Sequence, residues 1–186
     1  GTGRGGATPA LAPPPASAVI RETGDRIVAV INGAGSEAEK SRAMQAIVDQ
    51  RVDVDGIARF SLGRFWRLAS AAQRGEYDGL FRQVLVLNVT AKIGAYKGVA
   101  FALGRATPRE EGVMVATTVT RPGEAPAEVD WLVGEVGAAP RIIDVVAEGT
   151  SLRVTQRSDY ASFITHHNDD IGALIAALRK QVGQTG

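Results

Sequence analysis

The chain has 186 residues, 45% of them hydrophobic, and its 21 Lys and Arg against 20 Asp and Glu leave a formal charge of +1. That length and apolar content suit one domain with a sizeable core, and arginines scattered along a near-neutral chain speak against nucleic acid or a polybasic membrane contact. The absence of cysteine excludes disulfides, thiolate metal sites and a Cys nucleophile within these residues, and a lipid anchor on an N-terminal Cys is not expected.

Gly1 to Pro15 is rich in Gly, Ala and Pro, and such a stretch cannot bury enough apolar surface to order itself; residues 1–15 read as a disordered tail. The opening at Gly1-Thr2-Gly3 lacks Met, as it would after removal of a targeting segment. No apolar run reaches the ~20 residues that span a bilayer.

From Ala16 the period turns helical. Val19, Ile20, Ile27, Val28 and Ile31 recur near 3.6, and Asn32-Gly33 ends the run. A second helix follows Ser36, with Met44, Ile47 and Val48 on one stripe. Asp55 is placed to cap a third, short helix through Leu62, ended by Gly63. Ser70 then caps the longest helix, Ala71 to Tyr96, whose Val84–Val89 stretch (VLVLNV) is apolar almost all round. Such a helix is buried on more than one side, or faces a cavity on one of them.

After Gly98 the period becomes 2. Val99, Phe101 and Leu103 open an alternation that continues through Val113, Val115, Thr117 and Val119, then Val129, Trp131 and Val133, then Ile143, Val145 and Ala147, with turns at Gly112, Pro122-Gly123 and Gly137. This predicts an antiparallel four-stranded meander with one apolar face. Two helices close the chain, one from Leu152 to Thr165 carrying Tyr160, Phe163 and Ile164, the other after Asn168 carrying Ile171, Leu174, Ile175 and Leu178. The expectation is therefore a single α+β domain over residues 16–182: helical over 16–97, sheet over 99–148, C-terminal helices over 151–182. The sheet face, the Val84–Val89 helix and the Tyr160 face all demand burial against one another. That permits a pocket without requiring one.

Chemistry-bearing constellations are weak. His166 and His167 are adjacent, hence about 100° apart on a helix, and no third ligand is spaced to help them hold a metal; polar side chains at a helix C-terminus are the simpler reading. Ser151, His166 and Asp144 supply the residue types of a hydrolase, but Gly149-Thr150-Ser151 lacks the nucleophile elbow. Asp144 and Glu148 lie four apart, on one side of a strand, as a carboxylate pair for acid/base work would. Ion pairs with Arg153 or Arg157, or turn hydrogen bonds near Gly149, are the simpler reading. Gly33-Ala34-Gly35 follows a helix rather than a strand and is a turn, not a phosphate loop.

Two blocks carry a resemblance. ARFSLGRFWRLASAAQRGEYDGLFRQVLV, Ala58 to Val86, resembles the signature of the MlaC family, also called the toluene-tolerance auxiliary family, in which an "lGR.WR" turn leads into a long helix. RIIDVVAEGTSLRVTQRSDYASFI, Arg141 to Ile164, resembles the family's second block through Asp144-Val145, Glu148-Gly149, Ser151-Leu152 and Arg157-Ser158. Trp131 precedes this block at the family's spacing, and DDIGALIAALRKQV continues it, so the resemblance covers about residues 16 to 182. It departs at Val154-Thr155-Gln156, where many relatives have an aromatic, and at Gly75 and Gly94 in the long helix.

The resemblance implies a periplasmic lipid carrier, not an enzyme, without cofactor or metal. Its fold would be a nuclear-transport-factor-like curved sheet covered by N- and C-terminal helices, with an apolar pocket between. It also implies a phospholipid ligand, passed between an inner-membrane ABC transporter with its substrate-binding ring protein and an outer-membrane lipoprotein complex. The related HpnM branch, associated with hopanoid biosynthesis, makes a hopanoid the alternative ligand. A nuclear-transport-factor-like enzyme using Asp144 is the alternative of another class. On this reading the acyl chains would meet Leu80, Val84 and Leu87 on the long helix, and Phe101, Leu103, Val115, Val129 and Trp131 on the sheet. Val133, Ile143 and Val145 would extend the sheet lining, and Tyr160, Phe163 and Ile164 would close it from the C-terminal side.

Overall fold

A computed structural model describes residues 11–185. Helix α1 spans Pro13–Asn32. It starts inside the segment expected to be a tail, because proline is already set for the first helical turn, where its missing N–H costs nothing; residues 1–10 of that expected tail lie outside the described residues. Ser36 and Glu39 form a reciprocal capping box at the start of α2 (Glu37–Arg51). Helix α3 (Val54–Leu62) is capped by Asp53, which accepts from the Gly56 amide at 3.1 Å, rather than by Asp55. The cap falls there because Val52 bridges Ile142 and the Asp53 amide donates to the Ile142 carbonyl, fixing the chain one step earlier.

Gly63, at φ +58°, ends α3 and leads into the single turn α4 (Phe65–Leu68). A second capping box, Ser70 with Gln73, opens α5 (Ala71–Thr90). α5 is shorter than expected and continues as a 3₁₀ turn, Gly94–Tyr96. The tighter path draws Ile93 into a cluster with Ile31, Met44, Ile47 and Val99, a placement that a straight helix through Tyr96 does not provide.

Strands β1 (Ala100–Arg109), β2 (Gly112–Thr120), β3 (Ala127–Val136), β4 (Ala139–Ala147) and β5 (Thr150–Ser151) form one antiparallel meander in chain order. The four expected strands are joined by this two-residue fifth. Register shifts mark two bulges, between Leu103 and Ala106 on β1 and around Ile143 on β4; bulges of this kind bend a sheet and sharpen its twist. The second overturns one expected residue. Leu132 pairs with Asp144 and Val133 with Ile142, so Ile143 is the unpaired extra residue. Ile142 takes the inner face beside Val113, Val115 and Val133, and Ile143 instead lies across Gly134.

Helices α6 (Leu152–His166) and α7 (Ile171–Thr185) complete the chain. Three apolar clusters result. The N-terminal half of α1 closes on the sheet through Ala16, Ile20, Val113, Val115, Val133 and Ile142. The C-terminal half of α1 meets α2 and the end of α5. The third cluster is helical, built by α3, α5, α6 and α7, where the Tyr77 hydroxyl donates to the Ala58 carbonyl at 2.7 Å. Among the described residues no helix is long and apolar enough to cross a membrane.

Candidate functional site

A cavity of about 350 Å³ lies between the second half of α1 and the inner face of the sheet, closed by the segment that follows α5. That volume is near the lower end of the ~300–1,000 Å³ usual for small-molecule pockets. From α1 come Ile20, Thr23, Gly24, Ile27, Val28 and Ile31, and from α2 comes Met44. Asn88, Val89, Lys92, Ile93 and Tyr96 form one wall, and Val99, Phe101, Thr117, Val119, Val129, Trp131 and Ala147 form the sheet side. Two local rules produce this lining. The 3.6 period stacks Ile20, Gly24, Ile27 and Ile31 on one face of α1, and strand alternation brings Phe101, Thr117, Val129 and Trp131 to one face of the sheet.

The cavity is almost free of charge. Lys92 is its single charged lining residue, and with Asn88 it is the part of the wall most open to solvent, which places the mouth at the end of α5. Arg121 stands nearby with its guanidinium 4.3 Å over the Tyr96 ring, held by a bond to the Ala95 carbonyl. Inside, the Thr117 hydroxyl donates to the Val129 carbonyl at 2.6 Å and accepts from Trp131 Nε1 at 3.0 Å, so both polar side chains are internally satisfied. The Thr23 hydroxyl, on a residue 3% exposed, has no hydrogen-bond partner among the described residues. Such a surface can hold hydrocarbon.

Of the residues expected to contact lipid, Phe101, Val129 and Trp131 line this cavity. Leu103, Val115, Val133 and Val145 belong to the neighbouring solid cluster under the start of α1. Leu80, Val84, Tyr160, Phe163 and Ile164 pack into the helical cluster, because α7 covers α5 and the apolar faces of α5 and α6 meet there rather than on the sheet. Leu87 is half-buried and belongs to neither cavity nor cluster. Sequence reasoning missed the α1 wall, although the stripe from Ile20 to Ile31 signalled an apolar face. It also missed Met44 on α2, and Ile93 and Tyr96, which only the turn after α5 brings in.

The other candidate groups are structural. Asp144 is 5% exposed and absent from the cavity wall. It accepts from Ser151 Oγ at 2.6 Å, the Val145 amide at 2.8 Å and the Arg153 amide at 3.2 Å, and pairs with Arg153 Nε at 3.6 Å, so it anchors the start of α6. Glu148 is not its partner on one strand face. It sits beyond β4 at φ +50° and accepts from the Glu128 amide. His166 is at the opposite end of α6 from Ser151, ~20 Å of helix away. His166 and His167 place Nδ1 against the carbonyls of Ser162 and Phe163, each at 2.7 Å. Among the described residues no group of His, Asp and Glu is arranged to hold a metal ion.

The family model for MlaC protein matches residues 21–180. Among solved structures, a phospholipid-binding protein from Ralstonia solanacearum, in complex with a phospholipid, is similar with a TM-score of 0.78 at 22% sequence identity. The match covers 91% of this chain and 97% of that one, and it places the two chains in one fold.

Proposed function

The chain belongs to the MlaC family, and on that premise we propose that it is a soluble periplasmic carrier of phospholipid, holding acyl chain between α1 and the sheet. The observation that carries this reading is the cavity lining, aliphatic and aromatic inside with Lys92 at the mouth. The similar Ralstonia protein, which binds phospholipid, supports the same ligand class here.

The energetics explain why the wall must be so apolar. A diacyl lipid with ~30 methylenes gains about 0.8 kcal/mol per methylene on leaving water, on the order of 25 kcal/mol in all. A bilayer already supplies nearly all of that, so a carrier that extracts lipid must approach hydrocarbon in polarity. One buried charge in the lumen would cost several kcal/mol. The headgroup stays at the mouth, where Lys92 and Arg121 face a phosphate without desolvation. Loading and release then occur at membrane-bound partners, an inner-membrane transporter complex and an outer-membrane lipoprotein complex, rather than in open water.

Organic extraction of natively purified protein followed by mass spectrometry tests this. Phospholipid near one molecule per chain is expected. A protein that purifies free of lipid and takes up none from vesicles would sink the carrier reading, and a hopanoid in place of phospholipid would keep the carrier and change its cargo.

A further inference from the structure

The Gly63–Arg67 turn and the Arg157-Ser158 pair, both singled out in the sequence, contribute nothing to the lipid cavity. They meet in a second pocket of about 620 Å³, between the α3–α4 turn and α6. Its wall holds Arg64, Arg67 and Arg157 and no carboxylate. Arg64 lies 4.5 Å over the Phe65 ring and Arg157 4.3 Å over the Phe60 ring. The stem of Arg157 crosses Gly63, where any Cβ would stand 3.2 Å from its Cδ.

Among the described residues, none of these three guanidiniums has an ion pair or a side-chain hydrogen bond. Arg153, one turn before Arg157, shows the contrast, since it is paired with both Glu111 and Asp144. Beside the arginines, Leu68 is 70% exposed and Val154 45% exposed.

We propose that this pocket is a docking site for a segment of a partner protein carrying carboxylates next to an aliphatic side chain. Three guanidiniums without carboxylates form a local positive site on a chain whose net charge is only +1. The planar guanidinium fork matches carboxylate oxygens in pairs. Stacking on Phe60 and Phe65 holds two of the forks in place, so less freedom is lost on binding. The concavity admits a protruding chain, whereas a flat bilayer would meet only its edges, and Leu68 and Val154 give an aliphatic anchor its contact.

The test uses the full chain and a fluorescein-labelled peptide of Glu-Glu-Leu-Leu repeats, read by anisotropy. A Lys-Lys-Leu-Leu counterpart and vesicles of phosphatidylglycerol with phosphatidylcholine are run beside it. The acidic peptide binds, the basic one does not, and affinity falls about tenfold in the double variant Arg64→Glu/Arg157→Glu and about threefold in Arg67→Ala. No binding of the acidic peptide, equal binding of the basic one, or binding unchanged in both variants overturns the proposal. Variant-sensitive binding to the anionic vesicles without peptide binding also overturns it, in favour of a membrane surface. Arg67 is exposed, so Arg67→Ala keeps the test decisive if the double variant fails to fold. None of the three arginines lines the lipid cavity, so the outcome is independent of the carrier reading.

Discussion

The ring of Phe101 lies against α1 at Gly24 so closely that a Cβ there would stand 2.4 Å from its Cζ. Both residues line the cavity, so this contact sets the position of one wall. Gly24→Ala gains about 1 kcal/mol of helix propensity and pushes the ring aside into the lumen. The expected result is a melting temperature within a few degrees of wild type and about a twofold or greater loss of copurifying lipid. Full lipid content in the variant would show that the ring does not define the binding volume.

Thr23 places an unpartnered hydroxyl beside that wall. Leaving such a group buried costs about 1–3 kcal/mol. Thr23→Val keeps the shape and removes the cost, so the delipidated protein is expected to gain about 1 kcal/mol in urea unfolding with lipid retention intact. A variant that is no more stable, and that loses lipid, would assign the hydroxyl to the ligand instead.

Ile27 lines the cavity from α1. Ile27→Lys introduces a second ammonium, on the apolar α1 side of the wall away from Lys92, at a desolvation cost of several kcal/mol when lipid is bound. Lipid recovered per chain is expected to fall about tenfold or more, with circular dichroism unchanged because Ile27 is only half-buried and the longer side chain can reach solvent.

Asp144 holds Ser151, the Arg153 amide and the Arg153 side chain at the start of α6. Asp144→Ala is expected to cost about 3 kcal/mol of stability, since it leaves buried partners unpaired. Lipid exchange measured well below the melting temperature is unaffected. Loss of transfer in a folded variant would revive a chemical role for this carboxylate.

Asp78 has its pKa raised by burial first and by the Asp55 charge second, and its Oδ1 has no hydrogen-bond partner among the described residues. In the window between the ordinary aspartate value and the raised one, the folded state holds a proton that the unfolded state has lost. The wild type therefore loses stability as pH rises through that window. Asp78→Asn is expected to melt at a higher temperature than wild type at pH 7, the advantage shrinking as pH falls towards 4. Melting curves across that range check the sign.

Much of the molecule follows from local pattern. Residues such as Ser36 with Glu39 and Ser70 with Gln73 specify helix starts because their partners lie three positions away. The alternation from Phe101 to Val133 specifies strands because pleating acts residue by residue. The antiparallel α+β meander and the family were legible for the same reason. The Ile143 bulge was not, since whether a residue is paired or extruded depends on the register of the facing strand.

The cavity lay further still from what the sequence by itself determined. Apolar faces on α1, α5, the sheet and α6 were all visible, but an apolar stripe has no marker for which other stripe will cover it. Only the tertiary structure decided that α5 and α6 bury theirs against each other and α7, leaving α1 to roof the sheet. Hydrophobic burial is non-directional, and the choice among covers was made by chain connectivity and by the turn after Thr90, which swings Ile93 and Tyr96 into the wall.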